Sequence, residues 1–160
     1  MPGPVSVRDA TSADMPRVRE LIEEYCRWID LEAAFEEIEA ELDHLPGDYA
    51  PPAGVLLVGT VAGQVEALVA YRRFGEGIAE MKRLYVAPSA RGLGLARALT
   101  TTLLARARAA GFHTMYLDTL PTMGPAQRLY ESLGFHDIPP YYETSLPDTR
   151  FMACPLNPRT

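Results

Sequence analysis

Apolar residues recur along this chain at two spacings, and the two spacings predict strands and helices respectively. Short runs of alternating or continuous β-prone residues predict strands at residues 5–8, 55–61, 64–73, 80–86 and 114–118. A tight connection at Ala62-Gly63 joins the second strand to the third. Two further strands are predicted within residues 141–155, on either side of a turn at about 146–148.

Apolar residues spaced three or four positions apart predict four helices. The first follows a capping-box-like start at residues 11–14. Its apolar face comprises Val18, Leu21, Ile22, Tyr25 and Ile29. A second helical stretch covers about residues 31–45, and two more begin near residues 95 and 125. Because strands and helices alternate over 160 residues, we expect a single α/β domain, residues 1–160, built on a mixed sheet.

A glycine-bearing turn, Arg91-Gly92-Leu93-Gly94-Leu95-Ala96, separates the predicted strand 80–86 from a long helix. Such a turn presents backbone N–H groups at the positive end of the helix, which favours a phosphate or pyrophosphate. The dinucleotide fingerprint requires a third glycine, and the P-loop requires a Lys-Ser/Thr pair; neither is present. The turn therefore predicts a different phosphorylated ligand.

A second segment, residues 124–135, has the pattern of a short amphipathic helix. Gly124-Pro125 suits the entry to a helix, and Gly134 stands where a left-handed cap ends one. The apolar face comprises Ala126, Leu129, Tyr130 and Leu133. Tyr130 is thus either a core aromatic or a functional residue.

The two segments together resemble the GNAT superfamily of N-acetyltransferases. Arg91-x-x-Gly94-x-Ala96 matches its R/Q-x-x-G-x-G/A pattern, and residues 126–135 match its A-x-x-L-Y-x-x-x-G-F helix. The similarity covers roughly residues 55–153. It implies the GNAT fold, an α/β mixed sheet of about seven strands with four helices on both faces, in the order β-α-α-β-β-β-α-β-α-β-β. Homodimers are common in the family.

The resemblance implies acetyl-CoA as acyl donor. Its pyrophosphate would lie on the glycine turn, and its pantetheine arm would pair with the strand 80–86 where the fourth and fifth strands diverge. The implied donor-binding residues are Leu84, Tyr85, Val86, Arg91, Gly92, Leu93, Gly94, Leu95, Ala96 and Arg97. Many members carry a pantetheine-contacting asparagine where this chain has Met123, and Thr119 or Thr122 is the candidate to take its place.

Three residues are candidates for the transfer itself. Glu80 occupies a position where several family members carry a catalytic glutamate and is the first candidate to take a proton from the amine. Asp118, at the end of the following strand, is the second candidate, either for removing that proton or for anchoring the amine. Tyr130 would protonate the departing thiolate. The developing oxyanion is expected to lie against a backbone N–H near Tyr85 or Val86.

The acceptor is predicted to be a primary amine of a small molecule or amino acid. Trp28, Phe35, Tyr141 and Tyr142 are candidate lining residues, and each is equally suited to packing. A protein or peptide N-acetyltransferase is the alternative enzyme. An acyl-CoA-binding sensor without turnover is the alternative of a different class.

Charge and composition restrict the partners further. The net charge of −6 argues against nucleic-acid binding, and no apolar run is long enough to span a bilayer. Eleven acidic residues between Glu20 and Asp48 form either a solvated face or a field that attracts cationic amines. The two cysteines and three histidines lack metal-ligand spacing, so we expect no metal. With no secretory signal evident, we expect a cytoplasmic protein.

Overall fold

The computed structural model describes residues 3–29, 38–144, 146 and 148–157. These residues form a seven-stranded sheet with helices on both faces. The strands are β1 (Val5–Asp9), β2 (Val55–Val61), β3 (Gln64–Gly75), β4 (Ile78–Val86), β5 (Thr114–Thr119), β6 (His136–Asp137) and β7 (Arg150–Pro155). The helices are α1 (Met15–Ile29), α2 (Leu95–Ala109) and α3 (Gly124–Ser132). Residues 38–42 are also helical, and the rest of the predicted second helix up to residue 37 lies outside the described residues.

The sheet has the order β1-β2-β3-β4-β5-β7-β6 and separates two apolar cores. On one face, α2 buries Leu95, Leu99 and Leu103 against β2, β3 and β4. On the other face, α1 packs Leu21 and Ile22 against β3 and β4. Every helix among the described residues is too short or too polar to cross a bilayer.

Of the two strands predicted within residues 141–155, only one is present among the described residues. The strands of this region are β6, which precedes it, and β7, which begins at Arg150. Pro139 and Pro140 follow β6, and neither has a backbone N–H to donate to a strand ladder. The described residues of 141–149 form a loop, and its two tyrosines contact side chains of β4 and β5.

β4 and β5 are the parallel neighbours of the sheet, and they diverge along their length. Their pairing is limited to Ile78 with Thr114, Ala79 with Met115 and Glu80 with Tyr116. β4 continues to Val86 without a partner on that side. The divergence expected from the family resemblance is therefore present, and it opens the sheet between α1 and α3.

A bulge in β4 lies beside this fork. Ala70 pairs with Lys82 but Leu68 pairs with Tyr85, so β4 carries one extra residue over this stretch. Arg83 lies within the bulge and has a φ of 65°, in the left-handed region. The bulge separates the part of β4 that pairs with β5 from the part that is free.

The predicted capping box before α1 is present and makes an acid-sensitive contribution to stability. The Asp14 carboxylate accepts hydrogen bonds from the Thr11 amide at 2.7 Å and from the Arg8 guanidinium at 2.7 and 3.0 Å. The Arg8 bonds hold the pKa of Asp14 well below its ordinary value. This stabilisation is full above the unfolded-state pKa of about 3.9 and is lost as the pH falls through the lower folded-state pKa.

Asp14→Asn is therefore expected to lower the free energy of unfolding by about 1 kcal/mol at pH 7, a typical capping value. The difference from wild type should shrink at pH 3, because below a pKa of about 3.9 the unfolded wild-type chain takes up a proton at Asp14 that the folded carboxylate does not accept. Urea unfolding at the two pH values measures this. A difference that is equal at both would contradict a role for the charged carboxylate.

Candidate active site

A groove of about 430 Å³ runs along the free part of β4, between that strand and α3. β4 contributes Leu84, Tyr85 and Val86. The remaining lining residues are Trp28, Ala90, Arg91, Gly92, Gly94, Leu95, Ala96, Arg97, Met123, Pro125, Ala126 and Leu129. The groove thus brings together nine of the ten predicted donor-binding residues, and Leu93 lies within the same turn.

The glycine turn closes one end of the groove. Gly92 and Gly94 have φ values of 83° and 82°, which L side chains rarely adopt, and Gly94 is the N-cap of α2. The space that a Cβ would occupy at either position is empty. The first amides of α2 therefore meet an open, side-chain-free surface, which is the arrangement that binds phosphate groups at helix N-termini.

Arg91 is held against two aromatic rings at this end. Its guanidinium carbon lies 5.6 Å from the ring centre of Trp28 and 5.7 Å from that of Tyr85, and its Nε donates to the Val86 carbonyl at 3.0 Å. Cation–π contacts of this length are favourable. Trp28 is 48% exposed and borders the groove, so the structure places this candidate acceptor residue on the donor side.

The other end of the groove meets a small cavity of about 50 Å³ inside the fork. Tyr130 of α3 and Asp118 of β5 both line it, together with the apolar side chains of Met81 and Leu117. Tyr130 is 6% exposed and packs on Phe135, with ring centres 5.6 Å apart. Burial raises the pKa of Tyr130 above the usual value, so this phenol stays protonated at neutral pH.

Glu80 does not line this cavity, and both of its carboxylate oxygens accept hydrogen bonds. Arg72 Nε donates to Oε1 at 2.9 Å, and the Tyr141 hydroxyl donates to Oε2 at 2.7 Å. The side chain is 3% exposed. Burial, followed by the negative charge of Glu80, raises the pKa of the Tyr141 hydroxyl. Glu80 is thus fixed in place by its two donors.

Asp118 is more accessible, with 22% of its side chain exposed. Its Oδ2 accepts a short hydrogen bond from the Tyr142 hydroxyl. The neighbouring tyrosines 141 and 142 therefore attach one loop to the two candidate carboxylates. Phe35, the fourth candidate lining residue, lies outside the described residues.

Two wider cavities, of about 510 and 230 Å³, border the fork beside Tyr141 and Tyr142, two of the candidate acceptor residues. We call them the acceptor-side cavities. Lys82, Tyr142 and Glu143 line both of them. The larger also contains Arg72 and Glu80, and the smaller contains Asp118. Both cavities lie within reach of the small cavity that Tyr130 lines, because Lys82 and Asp118 border it as well.

The sequence did not identify Lys82 or Arg72 as site residues, nor the hydrogen bonds that attach the loop of Tyr141 and Tyr142 to the two carboxylates. Lys82 had one available signal, since it is the only lysine in a chain with fourteen arginines. Arg72 had none, because its role depends on the pairing of β3 with β4, which sets it opposite Glu80. Among the described residues, no group of three His, Cys, Asp or Glu side chains is placed to hold a metal ion.

Part of the acidic segment 20–48 has structural partners. Glu20 and Glu24 lie within 3.4 and 3.6 Å of Arg17, and Glu41 pairs with Arg83 at 2.9 Å. Arg17 faces both Glu20 and Glu24, and Glu41 has Arg83 as its own partner, so part of this charge is balanced locally, which favours the interpretation of this segment as a helical surface over a field acting at a distance.

Comparison with known proteins agrees with this geometry. Residues 15–135 match the family model described as the acetyltransferase (GNAT) family. An uncharacterized N-acetyltransferase of Schizosaccharomyces pombe, C1271.07c, is 37% identical over 150 residues, which is 90% of each chain. The N-acetylaspartate synthetase of Rattus norvegicus is 35% identical over 89 residues, covering 55% of this chain and 30% of that protein.

The fold is also that of solved acetyltransferase structures. A putative acetyltransferase from Salmonella typhimurium, yncA, solved with its cofactor acetyl-CoA, superposes with a TM-score of 0.70 at 22% identity over 98% of this chain and 96% of that one. At this identity the likeness concerns the fold, while the family model and the fission-yeast relative carry the assignment. The chain is an acetyltransferase and belongs to the GNAT family.

Proposed function

We propose that this protein transfers the acetyl group of acetyl-CoA to a primary amine of a small molecule or amino acid. The observation that carries the proposal is the continuous path from the phosphate-binding turn, along the free part of β4, to the cavity shared by Tyr130 and Asp118. The Salmonella structure, with acetyl-CoA bound to the same fold, supports this donor.

The residues present fit acetyl-CoA. The open backbone of Gly92 and Gly94 offers N–H groups to a pyrophosphate, and Arg91 and Arg97 supply positive charge beside it. The unpaired edge of Leu84–Val86 offers backbone groups to the two amides of a pantetheine arm. The donor supplies an activated thioester carbonyl.

Asp118 is our first choice for the group that deprotonates the amine. An alkylamine has a pKa near 10.4 and arrives protonated, so it must lose a proton before it attacks. Asp118 borders the same small cavity as Tyr130, whereas Glu80 lines only the larger outer cavity among those near the fork, and its two oxygens are occupied. Glu80 would then orient Arg72 and Tyr141, or act through water.

Tyr130 would complete the transfer. The amine nitrogen would attack the thioester carbon, and collapse of the tetrahedral adduct would break the C–S bond. Asp118 would accept the proton from nitrogen, and the sulfur would take its proton from Tyr130, which solvent then reprotonates. Because burial raises the pKa of Tyr130, it would act first as a hydrogen-bond donor to the developing thiolate and so lower the barrier.

The relatives support an amino-acid acceptor. The rat relative is named for an acetylated amino acid, N-acetylaspartate. Thiol release from acetyl-CoA across amines, amino acids and short peptides tests the proposal. Turnover confined to peptides would favour the protein acetyltransferase, and donor binding without any turnover would favour the sensor.

Gly94→Ala is expected to weaken acetyl-CoA binding about 10- to 100-fold, since a Cβ would stand where the phosphates approach the amides. Gly63→Ala is the matched control: Gly63 has a φ of 81°, equally open surroundings and a place in the β2–β3 turn, far from the groove. Titration of the fluorescence of Trp28, the single tryptophan, measures binding in both. If acetyl-CoA binding were weakened equally in the two variants, backbone strain alone would explain the effect.

A further inference from the structure

Lys82 has a largely buried side chain, and among the described residues its ammonium group donates no side-chain hydrogen bond. Its side chain is 9% exposed, and among the described residues its only charged neighbours are Glu80 Oε2 at 3.9 Å and Asp118 Oδ2 at 4.0 Å. Both distances exceed that of a hydrogen bond. Lys82 also borders both acceptor-side cavities and the small cavity within the fork. An ammonium group that borders three cavities and has free N–H groups is available to an acceptor that enters from outside.

The neighbouring carboxylates are engaged by other donors. Arg72 and Tyr141 occupy the two oxygens of Glu80, and Tyr142 donates to the same Asp118 oxygen that Lys82 approaches. The four neighbouring charges of Arg72, Lys82, Glu80 and Asp118 sum to zero. Lys82 therefore donates to neither carboxylate, and its three N–H groups are available to an incoming acceptor.

We propose that Lys82 binds the carboxylate of the acceptor, and that the acceptor is a free α-amino acid. The positive Lys82 and the negative Asp118 stand 4.0 Å apart, which complements the carboxylate and the ammonium that an α-amino acid carries on one carbon. When the carboxylate of the amino acid binds Lys82, its amine lies beside Asp118 and faces the small cavity that Tyr130 lines. This inference rests on the proposed acetyl transfer and names the acceptor of that same site.

The same geometry distinguishes a free amino acid from other amines. A simple alkylamine has no group for Lys82, and the N-terminal residue of a peptide has an amide in place of the carboxylate. Either would leave the ammonium group buried and unpaired in the complex, which lowers affinity. The discrimination resides at Lys82 and does not depend on which side chain the amino acid carries.

The test compares L-alanine and L-aspartate with their α-carboxamides as acceptors. Wild type is expected to favour the acids in kcat/KM by about 10- to 100-fold, the range of a hydrogen bond to a charged group. Lys82→Gln should abolish that preference, and Lys82→Arg should keep most of it. Arg27→Gln, which removes a charge from the exposed end of α1, should keep it fully.

The single lysine allows a binding measurement that needs no turnover. Protein labelled with ¹³C at lysine Cε gives one lysine resonance, which should shift with the acids and not with the carboxamides in the presence of CoA. Equal turnover of acids and carboxamides by wild type would overturn the inference and leave the acetyl transfer standing. A shift with acids but no acetylation of any amine would support the site and refute the transfer. Neither shift nor acetylation would refute both.

Discussion

Replacing Tyr130 with phenylalanine is expected to lower kcat by about 10²- to 10⁴-fold, the range for loss of a positioned proton donor. The phenol borders the same small cavity as Asp118, and burial raises its pKa so that it holds its proton until the sulfur departs. Phenylalanine keeps the ring that packs on Phe135. The KM for acetyl-CoA should therefore change little, which separates loss of chemistry from loss of binding.

Tyr71→Phe provides the matched control for this prediction. Tyr71 is 1% exposed and packs edge-on against Phe112 in the core beneath α2, remote from the groove. Tyr71→Phe removes the same hydroxyl group at a position that lines neither the groove nor the small cavity, so the kcat of this variant should stay near that of wild type. Steady-state thiol release with a saturating acceptor measures both variants. Wild-type kcat in Tyr130→Phe would reduce Tyr130 to a packing residue.

The sequence predicts the fold well where one physical signal dominates. The apolar, β-prone runs at 55–61 and 64–73 predict the hairpin of β2 and β3 because Gly63 between them readily adopts the positive φ that its turn requires. Gly134 likewise marks the end of α3 with a φ of 103°. Local backbone preference and local apolar period agree at these places, and the structure follows them.

The acceptor side depends on contacts between distant parts of the chain. Arg72, Lys82 and Asp118 lie on three strands, and they meet only because of the register of β3 with β4 and the divergence of β4 from β5. No spacing in the sequence encodes that register. The same holds for Tyr141, whose hydroxyl reaches back over 61 positions to Glu80. The residues of the donor turn, by contrast, are consecutive, so a motif could identify them.

The bulge of β4 depends on a buried ion pair. Arg83 donates to both oxygens of Glu41, at 2.9 and 3.1 Å, and the Tyr49 hydroxyl donates to the same carboxylate at 2.6 Å. The two charged side chains are 7% and 18% exposed. Burial opposes the charge on Arg83, but Tyr49 and Glu41 outweigh it and raise its pKa. The pair holds a residue with a φ of 65° in place, directly before the backbone of Leu84–Val86.

Arg83→Met is therefore expected to lower the free energy of unfolding by about 1.5–3 kcal/mol, because the partly buried carboxylate of Glu41 loses both guanidinium bonds and keeps only that of Tyr49. The double variant Arg83→Met/Glu41→Leu should be less destabilised than the sum of the two single variants, since no lone charge remains. Urea unfolding of the four proteins gives the coupling energy. Strict additivity would mean that the two charges do not stabilise each other. Where the double variant folds, its KM for acetyl-CoA should still exceed that of wild type, because the free edge of β4 that receives the donor has lost the contact that sets its direction.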